Sequence, residues 1–181
     1  KNIWTLRPRS ECFAKTGRKP ITVRWVIVNK GDDQSPNYRA RLVARQIRHQ
    51  GVESIFAPTP PLEAIRTVLS LAATRLPGDS PHSRDPRSKR RIQVSFLDIS
   101  RAYFNAKTDP SEPCYVELPA EEGDDGSHCG LLLRHMYGTR PAADGWQEEY
   151  STMLIQELGF LQGGSSPNLF HHPQRSIVTT V

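Results

Sequence analysis

The sequence predicts an α+β fold, a sheet with helices on one face plus a β-rich N-terminal lobe. Three observations carry this. Two alternating segments, Ile21 to Asn29 and Tyr38 to Arg45, flank a polar turn and read as a hairpin. Two longer stretches, Glu63 to Arg75 and Ala142 to Leu158, space their apolar residues as helices do. Short apolar runs bounded by Gly, Pro and Ser lie between and after them, at 92–97, 114–119, 131–136, 168–170 and 176–181.

Residues 1–20 are polar, basic and proline-containing, an approach segment with room for one short edge strand. In the hairpin that follows, Arg39, Arg41 and Arg45 share one face because strand side chains alternate. That face is either a solvated outer surface or a place for anions. Residues 51–61 read as loop. The helix from Glu63 carries Ile65, Leu69, Ala72 and Leu76, with Val68 and Leu71 widening the stripe. Pro77 to Arg91 is a protruding basic loop ending in Lys89-Arg90-Arg91, which is either solvated or touches phosphate.

The run from Ile92 to Leu97 is rich in β-branched and aromatic residues and reads as a buried central strand ending at Asp98. A carboxylate there is costly unless it is paired or binds a cation. Asp98 is therefore either the N-cap of the next short helix, over 102–106, or a metal ligand. Strands follow at 114–119 and 131–136, separated by an acidic, glycine-rich loop over 120–130. In the last helix Trp146, Tyr150, Met153, Leu154 and Leu158 form the stripe, and Gly159 suits its C-terminal exit. Two final strands are joined through His171 to Arg175. Neighbouring strand histidines face opposite ways, so His171 and His172 read as turn residues rather than a metal pair. Trp25 and Trp146 read as core aromatics.

Composition narrows the function classes. A chain of 181 residues makes one domain, or one with a small appended lobe. The formal net charge of +5 suits a polyanionic partner. Three cysteines, Cys12, Cys114 and Cys129, are too few and too widely spaced for a disulfide scaffold or zinc ribbon. They point to a reducing compartment. No apolar stretch approaches the roughly 18 residues of a membrane span, and no signal peptide opens the chain. The start at Lys1 and the stop inside Ile177 to Val181 read as cuts through a longer polypeptide.

Six segments, in order and at sensible spacing, resemble the reverse transcriptase domain of copia-type LTR retrotransposons, part of a Pol polyprotein. Tyr38 to Arg45 (YRARLVAR) is similar to KARLVARG, with Gln46 in place of the glycine. Phe56-Ala57-Pro58-Thr59 with Ile65-Arg66 is similar to F-(S/A)-P-V … I-R. Leu97 to Ala106 (LDISRAYFNA) resembles D-V-K-T-A-F-L-N-G, and Cys114 to Pro119 (CYVELP) resembles Y-(V/M)-x-Q-P. Tyr137-Gly138-Thr139-Arg140 with Trp146 resembles Y-G-L-K-Q-A-P-R-A-W, and Gly159-Phe160 with Asn168-Leu169-Phe170 resembles G-F … D-x-(L/C)-(L/V)-F.

The resemblance implies a right-hand polymerase with fingers and palm, its ferredoxin-like palm sheet incomplete here. Residues 1–20 would be the approach segment, 21–91 the fingers-like hairpin, helix and basic loop, and 92–181 a partial palm. The implied function is that of an RNA-directed DNA polymerase, a nucleotidyltransferase using two Mg²⁺ ions. Asp98 would be the first catalytic carboxylate and bind both ions, with Ile99 and adjacent carbonyls completing the shell. Tyr103 would be the steric gate against a ribose 2′-hydroxyl. Arg41, then Arg39 or Arg45, would hold the incoming triphosphate, and Gly138 and Arg140 would begin a nucleotide- and template-contacting segment. Lys89, Arg90 and Arg91 would contact nucleic acid. The implied partners are an RNA or DNA template-primer, dNTP, and the remaining Pol segments: thumb, RNase H and integrase. No membrane is implied. The expected compartment is intracellular, either cytoplasmic in a virus-like particle or nuclear.

Two departures matter. Pro141-Ala142-Ala143-Asp144 stands where the family has Q-A-P-R, so a basic position has become acidic. The strand at Ile177 to Val181 resembles the one leading into the family's Y-V-D-D box, which is not in the sequence, so the chain alone is expected to be inactive as a polymerase. The alternative readings are a non-catalytic nucleic-acid-binding relic domain, and an unrelated α+β domain in which Asp98 is only a cap.

Overall fold

The computed structural model describes residues 2–46, 62–74 and 93–181. It divides into two compact units, one of residues 1–57 and 101–149, the other of 58–100 and 150–181.

In the first unit, strand β1 (Trp4–Pro8) runs into helix α1 (Arg9–Thr16). Strands β4 (Tyr115–Val116) and β5 (His128–Leu132) complete an antiparallel sheet of order β1-β5-β4, so β1 is an edge strand as expected. Helix α1 is not visible in apolar periodicity, because Cys12 is its one buried residue. Its exit is local chemistry: Gly17 adopts φ 65° and donates its N–H to the Phe13 carbonyl at 2.8 Å.

Strand β5 begins three residues before the run expected at 131–136. Gly130, a weak strand former, is tolerated because the Trp4 indole covers it. A Cβ there would lie 2.9 Å from Trp4 Cγ, so the neighbouring aromatic fills the missing side chain's place. The strand expected over 114–119 shrinks to Tyr115–Val116, and Ile21 brackets it by donating to the Tyr115 carbonyl and accepting from the Glu117 N–H, both at 2.8 Å.

Strands β2 (Val23–Asn29) and β3 (Tyr38–Ala44) form the expected hairpin, in register from Val23 opposite Ala44 to Asn29 opposite Tyr38. Asn29 Oδ1 closes the turn by accepting from the N–H groups of Gly31 (3.0 Å) and Asn37 (2.8 Å). The root of the hairpin enters the core, where Ala44, Val116, Leu132 and Met136 pack together. A second cluster joins Cys12, Tyr115 and Cys129. All three cysteines are free, and burial pushes the Cys114 and Cys129 thiols up to about 11.

The second unit holds helix α2 (Leu62–Ala73) and an antiparallel meander of β6 (Leu161–Gln162), β7 (Leu169–His172) and β8 (Ile177–Thr180). Helix α2 packs against β8. Its sheltered side is Ala64 with the expected Ile65, Val68 and Ala72, whereas Leu69 and Leu71 of the expected stripe are exposed and Leu76 lies outside the described residues. His171 and His172 belong to β7 rather than to its turn, and they do face opposite ways, His171 exposed and His172 buried.

Helix α3 (Ala142–Thr152) continues through one π-helical turn, Met153–Glu157, to Gly159 at φ 74°. Tyr150 and Leu154 are buried as expected. The wider last turn rotates the stripe, leaving Met153 and Leu158 exposed.

One expectation fails plainly. Residues 93–99 form no strand, and Phe96 and Leu97 are 84% and 91% exposed. A β-rich sequence is held extended by a paired neighbour, and none pairs with it among the described residues. Ile92 lies outside them. The α+β content is as expected, but the described strands are split among three small antiparallel sheets. No helix among the described residues is long and apolar enough to cross a membrane.

Candidate functional site

Residues directly opposite one another in an antiparallel pair share a face. Arg39, Arg41 and Val43 on β3 therefore share a face with Val28, Val26 and Arg24 on β2. Arg24 is a cation that counting along β3 alone misses. Arg24, Arg39, Arg41 and, just past the strand, Arg45 are all exposed. Among the described residues no carboxylate pairs with them. Guanidinium groups are cations that present planar donors to anions. The opposite face is apolar at its root, where Val23 and Leu42 pack on the core. Trp25 there is 45% exposed rather than a core aromatic, and its indole N–H donates to Glu121 Oε1 at 3.1 Å.

The root of this hairpin carries the Tyr137–Arg140 turn. The Ala44 N–H donates to the Tyr137 carbonyl at 2.8 Å. Gly138 adopts φ 85°, and a Cβ on it would strike the Ala44 carbonyl oxygen. Gln46 Oε1 accepts from the Arg140 N–H at 2.6 Å, and the Gln46 N–H reaches the Gly138 carbonyl at 3.4 Å. The Thr139 hydroxyl is buried and donates to the Met136 carbonyl at 2.8 Å. Arg140 Nη2 is buried with no hydrogen-bond partner among the described residues.

Tyr103 reaches the same turn. It stands on a 3₁₀ turn, Ala102–Asn105, entered through Arg101 at φ 55°. Its ring lies 4.7 Å from that of Tyr137 at 47°, while Phe104 meets Tyr137 edge-on at 5.6 Å. Arg134 Nη1 donates to the Asn105 carbonyl at 2.7 Å, and the His135 N–H to the Ala106 carbonyl at 3.0 Å. His135 itself is buried against α3, where a Cβ on Gly145 would run into its imidazole. Burial pulls its pKa below the ordinary value, against the pull of Glu148 and a hydrogen bond to the Lys107 backbone. Thus Tyr103, Gly138, Arg140 and the root of the arginine hairpin come together within one unit.

Asp98 and Ile99 belong to the other unit, on the exposed 93–99 stretch. Asp98 is exposed and ends no strand, and the short helix it was expected to cap is entered through Arg101 with no side-chain cap bond. Its oxygens suit Mg²⁺. Among the described residues, Asp98 belongs to no group of three metal-ligating side chains, so any further ligands of a Mg²⁺ ion beside it would lie elsewhere. The group that does converge is Asp124, Asp125 and His128, with ligand atoms within 4.8 Å. Its oxygens build their own loop: Asp124 Oδ2 accepts from the Gly126 N–H at 2.9 Å and Asp125 Oδ1 from the Ser127 N–H at 2.9 Å. Lys89, Arg90, Arg91 and the Phe56–Thr59 motif lie outside the described residues.

Residues 12–178 match the family described as reverse transcriptase (RNA-dependent DNA polymerase). The chain belongs to that family. It is 27% identical over 161 residues to the retrovirus-related Pol polyprotein from transposon TNT 1-94 of Nicotiana tabacum, a match covering 85% of this chain. The chain spans only 11% of that polyprotein's length. No solved structure matches it significantly. The family expected from the six motifs is thereby borne out. Of the site residues, sequence reasoning missed Arg24, which the hairpin register reveals, and the Gln46 side-chain bond, which joins positions far apart in sequence.

Proposed function

We propose that this chain contributes the fingers and part of the palm of a retrotransposon reverse transcriptase, whose intact form carries out template-directed nucleotidyl transfer by two-metal chemistry. The observation that supports this most is the junction at Ala44–Gln46. There the arginine hairpin, the Tyr137–Arg140 turn and, through Tyr137, the Tyr103 ring are fastened into one unit. Phosphoryl transfer rests on positioning and charge stabilisation, and this arrangement supports a reading in which the unit contributes both.

In this reading Arg41 and Arg39, followed by Arg45 and Arg24, hold the triphosphate. Tyr103 closes the sugar side against a 2′-hydroxyl, and Gly138 and Arg140 line the nucleotide and template side. Lys89, Arg90 and Arg91 touch the nucleic-acid backbone. The fingers-like part is residues 21–91 and the partial palm 92–181, with 1–20 as the approach. Asp98 is one oxygen ligand of the Mg²⁺ ions, with Ile99 beside it, and the remaining ligands come from other parts of the polypeptide. Template-primer, dNTP, thumb, RNase H and integrase are its partners, in a cytoplasmic virus-like particle or the nucleus.

The exposed arginine face, unpaired among the described residues, also favours a second reading, a non-catalytic nucleic-acid-binding domain. Fluorescence anisotropy of a labelled primer–template separates the two. The first reading expects binding that weakens steeply with salt and tightens when Mg²⁺ and the complementary dNTP are added together. Salt-sensitive binding indifferent to both additions supports the second. No binding at low salt contradicts both.

A further inference from the structure

We propose that Gln46 is a positioning residue whose side chain locks the Tyr137–Arg140 turn to the end of the arginine hairpin, so that both face one polyphosphate. The proposal rests on the reading that this unit binds a nucleotide's phosphates.

Three hydrogen bonds join the two segments, and they differ in what they depend on. The bond from the Ala44 N–H to the Tyr137 carbonyl, at 2.8 Å, is backbone to backbone and does not depend on the side chain at 46. The bond from the Gln46 N–H to the Gly138 carbonyl is long, 3.4 Å, and weak. The third, from the Arg140 N–H to Gln46 Oε1, is short at 2.6 Å and needs this side chain. With one strong point the turn can pivot about Ala44. With a second, at Arg140, it cannot. The glycine that the resembled motif has at position 46 offers no such bond.

What the lock orients is the Arg140 side chain. Its Nη2 is buried and unpartnered among the described residues. A buried guanidinium N–H without an acceptor is costly, and a phosphate oxygen is the acceptor whose charge and geometry fit it. Gly138 supports the same design: lacking a Cβ, it lets the turn sit directly on the Ala44 carbonyl. Among the described residues no carboxylate pairs with Arg39 or Arg41 on β3 either, so the hairpin and the turn present cations that one anion chain could engage together.

The test uses the whole chain with Gln46→Met, which keeps volume but loses the acceptor, and Gln46→Glu, which keeps the acceptor. Gln46→Ala stands in should Gln46→Met disturb folding. Amide hydrogen exchange at Arg140 and affinity for inorganic tripolyphosphate are both read. The expected result is Arg140 exchange about fivefold or more faster in Q46M, restored toward wild type in Q46E. Tripolyphosphate affinity should fall about fivefold in Q46M while circular dichroism stays unchanged. Unchanged exchange in Q46M, or Q46E exchanging as fast as Q46M, overturns the lock. Faster exchange with unchanged affinity overturns its role at a phosphate site. Failure of the wild-type chain to bind tripolyphosphate overturns the phosphate reading itself, and the exchange result then decides the lock alone.

Discussion

Gly138 sits so close to Ala44 that a Cβ on it would meet the Ala44 carbonyl oxygen, and it does so at φ 85°. Both facts act against any side chain. The left-handed backbone costs an L-residue about 1–2 kcal/mol, and the collision adds to that. Gly138→Ala should therefore destabilise the protein by about 2 kcal/mol or more, read as a lowered midpoint in urea. Gly164, which has open space around it, is the control and should tolerate alanine.

His135 gives stability a pH dependence. In the unfolded chain its imidazole titrates near 6.5, and in the folded protein burial holds it lower. Between those values the unfolded state carries more protons, so stability is full above about 6.5 and is lost as pH falls through the lowered value. Urea midpoints between pH 8 and 5 should decline in the wild type and decline less in His135→Gln. Equal slopes in the two proteins contradict the assignment.

The thiols of Cys129, buried, and Cys114, half-buried, should be inert. With Cys129 and Cys114 pushed up to about 11 from the ordinary 9.0, the thiolate fraction at pH 8 falls on the order of a hundredfold. Iodoacetamide should label them at least that much more slowly in the native protein than in 6 M guanidinium. Comparable rates would mean these cysteines are accessible and the core around Cys12 and Cys129 is open.

Phe96 and Leu97 distinguish a buried central strand from the exposed stretch observed. As 84% and 91% exposed residues, their replacement by serine should change stability by less than about 0.5 kcal/mol and improve solubility. A loss of several kcal/mol from either would place the run in a core.

What could be read from sequence followed how local its cause was. The hairpin was legible because Val23–Asn29 and Tyr38–Ala44 both alternate around a turn that Asn29 closes itself. Arg39, Arg41 and Arg45 were legible by the same alternation, whereas Arg24 needed the register between strands. Helix α1 was hidden because a single buried residue makes no stripe, and the start of β5 because Gly130 draws its support from Trp4, far along the chain. The 93–99 run misled because β-propensity describes fitness for a sheet that some other strand must supply. Tyr103 and Gly138 were named from motif resemblance, but their meeting through Tyr137 is a long-range fact that neither segment contains.

The most direct test of the central claim, that the arginine face and the Tyr137–Arg140 turn hold a nucleotide's triphosphate, is a calorimetric titration of dNTP into the chain at low salt. The wild type and Arg39→Ala/Arg41→Ala are compared, with the parent nucleoside as control. The expected result is dNTP binding weakened about tenfold or more in the double variant, with no binding of the nucleoside. Equal dNTP affinity in both proteins, or equal affinity for dNTP and nucleoside, would contradict it.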